Sequence, residues 1–167
     1  MSKCSFASAG LLVIVLGLSG GAAQAASPLS SLAGTWSGGG TLSTSDGAQE
    51  QLRCRASYDV DGSGAEVRLN LRCASQDYNF DLTGDASYSR GEISGSWSEA
   101  SRNASGTISG RAIGDHIEAA ARGNNFSANL SLTTHGNRQT VSIRPQASDV
   151  TAVSLSLSRS GGRSAGR

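Results

Sequence analysis

Few side chains in this sequence are spaced for chemistry. Its two histidines, His116 and His135, each stand beside a Gly-containing turn, and the one pairing at ligand spacing is His116 with Glu118. A metal site takes three or four His, Cys or carboxylate ligands, so no metal and no cofactor is expected. Serine is abundant, but a nucleophilic serine needs a base within hydrogen-bond reach. No G-x-S-x-G turn, P-loop or dinucleotide fingerprint occurs. No catalytic residue is assigned, and the expectation is a protein that is not an enzyme. Three groups suited to binding or bracing remain. Trp36, Tyr58 and Trp97 could line an apolar site; Arg53, Arg55 and Arg72 could hold an anion or an acidic partner; Cys54 and Cys73 could form a disulfide.

These groups belong to a chain of 167 residues with 22 Gly, 2 Pro and 16% charged residues. Lys3, an apolar run over 11–18 and the motif Ala23-Gln24-Ala25 follow the order of an export signal, cleaved after Ala25. The run is far short of the roughly 20 residues that a spanning helix needs. Residues 1–25 are therefore expected to leave, and the rest to be periplasmic or secreted rather than an integral membrane protein. Lys3 is the single lysine, and without it the arginines balance the carboxylates. A neutral chain lacks the electrostatic footprint of a nucleic-acid binder. The third cysteine, Cys4, leaves with the signal, and two cysteines in an exported chain read as one disulfide. One domain is expected over 26–158, with a disordered Ser, Gly and Arg-rich tail over 159–167.

The elements that position these residues follow from an apolar and polar alternation of period two, broken every eight to twelve residues by turn chemistry. Strands are expected near residues 35–43, 49–60, 66–74, 78–89, 92–98, 104–113, 116–122, 125–134, 139–145 and 151–158. Each turn fixes a register that can be checked. A turn at Ser63-Gly64 sets Val60 opposite Val67, Tyr58 opposite Leu69 and Cys54 opposite Cys73, while Asp59 faces Arg68 on the other side. Turns at Arg90-Gly91, Gly114-Asp115, Gly123-Asn124 and Gly136-Asn137 likewise match apolar with apolar residues; the third sets Ile117 opposite Leu130. The same registers set Arg55 opposite Arg72, a like-charge pair that Asp81 or Glu50 would have to offset.

An antiparallel meander with one apolar face, and no helix to cover it, buries that face by closing on itself. The fold class is therefore all-β: an up-and-down barrel of about 8–10 strands with one disulfide. Trp36, Tyr58, Leu71, Phe80, Trp97, Ile108, Phe126 and Leu130 point inward, and Arg53, Arg55, Arg68, Arg72, Asp85 and Glu118 outward. Gly38, Gly40, Gly84, Gly95, Gly106 and Gly110 also fall on the inward face. Glycines there either let the sheet bend at corners or leave room for an apolar ligand, which would need a cavity of at least roughly 300 Å³.

At Gly34-Thr35-Trp36 the sequence resembles the G-x-W opening of lipocalins and related calycin barrels. The string from Gly34 through Trp36 to Gly40 is similar to the opening of nitrobindin-type haem barrels. More generally the chain looks like a small exported bacterial protein. The resemblance implies a barrel that binds a small apolar ligand inside, and transfers no ligand and no binding residue. Together the readings give an exported, non-enzymatic barrel holding a small apolar or amphipathic molecule among Trp36, Tyr58 and Trp97. The alternative is a cell-envelope structural or interaction module, inhibitor-like, whose protein partner meets the outer face and loops around Arg53, Arg55 and Arg72.

Overall fold

The computed structural model describes residues 26–161; the expected export signal over 1–25 and residues 162–167 of the expected tail lie outside the described residues. A short 3₁₀ turn, η1 (Pro28–Leu32), leads into ten strands: β1 (Gly34–Thr44), β2 (Gln49–Val60), β3 (Glu66–Ala74), β4 (Asn79–Ser89), β5 (Glu92–Glu99), β6 (Ala104–Ile113), β7 (His116–Gly123), β8 (Ser127–His135), β9 (Arg138–Gln146) and β10 (Val150–Arg159). Each strand pairs antiparallel with the next, and β10 pairs back onto β1, so the sheet is a closed barrel. The last strand runs one residue further than the alternation suggested. Arg159, the first residue of the expected tail, instead ends β10 and faces Trp36.

Turn chemistry sets the registers as the residue types demand. In the β2–β3 hairpin the Asp61 side chain accepts hydrogen bonds from the backbone N–H groups of Ser63 and Glu66. Bonds from the Ser63 hydroxyl and then from Glu66 hold its carboxyl down at about 2. This turn places Val60 on Val67, Tyr58 on Leu69, Cys54 on Cys73 and Arg55 on Arg72. The turns at Arg90-Gly91, Gly114-Asp115 and Gly136-Asn137 also give the expected pairs. One register differs. Ile117 lies opposite Leu132, not Leu130, because the β7–β8 turn is closed by the Gly123 N–H on the Phe126 carbonyl and so centres on Asn124-Asn125. The slip is by two residues, so every side chain keeps its face; a slip by one would have reversed them.

Inward glycines serve the backbone. A Cβ at Gly40 would collide with the carbonyl oxygen of Ser154, and one at Gly106 with that of Arg122; Gly38, Gly95 and Gly110 are blocked by neighbouring backbone in the same way. The sheet bends tightly enough there that adjacent strands occupy the space of a side chain. These glycines close the barrel and do not hold a lumen open. At Gly84 the nearest atom to an added Cβ is the Ser96 oxygen at 3.4 Å, an ordinary contact. Gly106→Ala should therefore cost about 2 kcal/mol by forced backbone movement, and Gly84→Ala should stay within about 0.5 kcal/mol of the parent. Urea denaturation of both variants checks the contrast, and equal effects would contradict it.

Candidate functional site

The barrel has two unlike ends, and the first is plugged. Pro28 opens η1 with its φ already set, and the Ser27 side chain accepts from the Leu29 N–H at 3.3 Å. In a 3₁₀ turn residues three apart eclipse, so Leu29 and Leu32 point the same way, and both are buried in the barrel core. Trp36, with no exposed surface, donates its indole N–H to the Leu32 carbonyl at 2.7 Å. From the last strand the Arg159 guanidinium lies 4.2 Å from the centroid of the Trp36 ring. It also donates to the carbonyls of Ser31, at 2.8 Å, and Ala33. One arginine thus joins β10, the first strand and the plug.

A buried polar chain lies in the same region. The Tyr58 hydroxyl donates to Gln139 Oε1 at 3.0 Å, and Gln139 Nε2 donates to Thr134 Oγ1 at 3.2 Å. Burial pushes the Tyr58 hydroxyl well above its usual value, against the smaller opposing effect of the Gln139 bond, so it stays protonated. Tyr58→Phe leaves the Gln139 oxygen buried without a donor, which should cost about 1–2 kcal/mol. Adding Gln139→Leu should then cost less than its effect alone, measured as a double-mutant cycle in urea; additive losses would mean that the two groups do not interact.

Beyond this layer the Cys54–Cys73 disulfide forms one rung of the inner wall, with 4.1 Å between Cα atoms and both residues buried. From here the interior is asymmetric. On β1, β2 and β10 the inward residues Leu42, Leu52, Ala56, Leu155 and Leu157 are buried. On the facing strands Leu71, Phe80, Leu82, Ile108, Leu130 and Ile143 also point inward yet remain only partly buried.

Aromatic residues gather at the far end. Tyr78 and Phe80 stack with ring centroids 6.3 Å apart and planes 9° from parallel, and the Arg102 guanidinium lies 4.7 Å above Phe80. Trp97 meets Phe126 edge-on at 5.4 Å. Tyr78, Phe80 and Phe126 are partly exposed. Glu99 is tied to the backbone around it by three accepted hydrogen bonds. Burial pushes its carboxyl up, but the N–H groups of Asp81, Ser101 and Arg102 together hold it below its usual value.

The expected trio is therefore divided. Trp36 and Tyr58 sit in the plugged end as packing, whereas Trp97 lies outside the continuous buried cluster that contains them. Tyr78, which opens the strand expected over 78–89, is assigned no place in the site by the sequence; it stands just before β4 and stacks on Phe80. The arginines are brought together on the outer wall: Arg55 pairs with Arg72, and Arg72 reaches Asp81 at 3.3 Å. Glu50 does not offset them, because it accepts from Ser75 and Asp77. His116 binds Thr133 and Glu118, His135 binds Asp115, and no cluster of three metal-ligating side chains occurs among the described residues. Two shallow hollows of about 460 and 500 Å³ lie over the outer wall, the first around Asp59, Asp61, Arg68 and Asp85, the second around Arg111, Glu118 and Arg144. Neither includes Arg53, Arg55 or Arg72.

The closed ten-stranded antiparallel barrel with one disulfide is the fold class expected from the alternation. No family model and no curated protein matches the sequence. Among solved structures, Rv2717c from M. tuberculosis is similar with a TM-score of 0.64 at 14% identity, over 80% of this chain and 95% of that one. The S-type phycobiliprotein lyase CPES from Guillardia theta is similar with a TM-score of 0.60 at 8% identity, over 81% of this chain and 92% of that one. Both likenesses are of fold. They overturn one expectation, that the chain is not an enzyme, because a barrel of this build carries the name of a lyase in the second protein. Catalytic groups scattered along an inner wall leave no linear motif, so the lack of motifs in the sequence does not bear on the question.

Proposed function

We propose that this chain is an exported barrel that binds a small apolar or amphipathic molecule in its interior, entering at the aromatic end. The observation that carries this reading is the partly exposed inner wall. Leu71, Leu82, Ile108 and Ile143 point into a closed ring of strands and still keep accessible surface. Apolar side chains in that position gain free energy when a ligand covers them, at about 25 cal/mol per Å². The plugged opposite end makes such a site a blind one. Barrels of the same fold support the reading at the level of architecture.

Native mass spectrometry of protein purified from its own source tests it. The expected result is a mass above that of the polypeptide, lost on denaturation and reduced in Ile108→Trp, which fills the wall. Bare polypeptide in every preparation would count against an interior ligand and favour a partner on the outer wall, where Arg53 and Arg55 have no acidic side chain within ion-pair distance among the described residues.

A further inference from the structure

Among the described residues one buried side-chain polar atom has no partner. The Trp97 indole Nε1 is sealed from solvent and no protein acceptor lies within hydrogen-bonding reach, on a residue only 6% exposed. The other tryptophan shows what the fold does with such a donor elsewhere, since Trp36 Nε1 is bound to the Leu32 carbonyl. An unmade hydrogen bond on a buried donor costs about 1–3 kcal/mol, and buried Trp N–H groups usually find an acceptor. Trp97 points inward from β5, opposite Gly84 and Gly106 on the flanking strands, with the half-exposed Phe126 ring against its indole.

We infer that Trp97 Nε1 is the polar anchor of the interior site, donating to an oxygen acceptor on an otherwise apolar ligand that takes the place of the Phe126 ring. The inference rests on the interior-binding reading above and narrows its ligand class. A neutral acceptor such as a ketone or ester carbonyl fits better than a carboxylate. Arg102, the cation over the Phe80 ring, already has Glu99 at 3.7 Å, and an unpaired anion in an apolar interior is strongly disfavoured. Trp97 would then act in specificity: a ligand with the acceptor gains a hydrogen bond that its hydrocarbon analogue does not make.

The chain has 2 Trp, so ¹⁵N-labelled protein should give two indole N–H signals in NMR spectra, assigned by Trp97→Phe. Butyrophenone and butylbenzene share an apolar body and differ in a carbonyl. Both are expected to shift the methyl signals of Ile108 and Leu130. Only the ketone should move the Trp97 indole proton downfield, with that of Trp36 unchanged. Trp97→Phe should weaken butyrophenone binding about fivefold and butylbenzene binding less than twofold. If the ketone shifts the interior methyls but not the Trp97 proton, or both probes move that proton alike, the anchor is overturned while interior binding stands. If neither probe shifts the interior methyls, interior binding fails and the anchor with it.

Discussion

Trp36→Ala should lower stability by about 3–5 kcal/mol, near the top of the range for core aromatic truncations. Three losses combine at this site. The indole has no exposed surface, so its removal forfeits the full transfer free energy and leaves a cavity bounded by η1. The Leu32 carbonyl loses its donor. The Arg159 guanidinium loses the ring it lies on while staying tied to the Ser31 and Ala33 carbonyls, and a desolvated cation on an indole face is itself worth about 2 kcal/mol. At roughly 4 °C per kcal/mol for a domain of this size, the melting temperature should fall by about 12–20 °C in calorimetry. Arg159→Met in the Trp36→Ala background should then cost less than in the parent, by up to about the 2 kcal/mol of the lost ring contact. A fall below about 1 kcal/mol for Trp36→Ala would mean that the plug is not part of the cooperative unit.

Removing the disulfide should have the second largest effect, about 3 kcal/mol by loop-closure entropy for cysteines 19 residues apart. The bridge joins directly paired residues of β2 and β3, so it constrains the unfolded chain without adding a contact between distant strands. Both Cys54→Ser and Cys73→Ser also put a hydroxyl onto an apolar inner wall, whereas reduction alone does not. The comparison separates the two contributions: reduced parent protein should lose the entropic part, and the serine variants somewhat more. An unchanged melting temperature under reductant would show that no bridge exists in the purified protein.

The strands and their partners were legible because each turn states its own register. The pairing of Cys54 with Cys73 followed from Ser63-Gly64 alone. The β7–β8 turn escaped because Gly123, Asn124 and Asn125 all suit a turn, and an error of two residues leaves the facing pattern intact. The difference between the two ends was not legible at all. It depends on η1, which is too short to show a period, and on Arg159, which meets Trp36 from more than a hundred residues away and looked like the start of a tail. The inward direction of Trp36, Tyr58 and Trp97 could be read from alternation, but not which of them packs and which keeps an unbound donor. That distinction depends on neighbours that alternation does not report: Leu32 at the end of η1, four residues before Trp36, and Gln139 across the barrel from Tyr58.

Because β1 and β10 are neighbours and both meet η1, the first and last described residues leave the barrel together at the plugged end. Anything fused directly at residue 26 or residue 161 would hang from the base of the molecule and leave the aromatic rim facing away from the support. Joining those two ends and cutting the chain at another hairpin should therefore preserve the barrel, which makes the protein a natural scaffold for circular permutation.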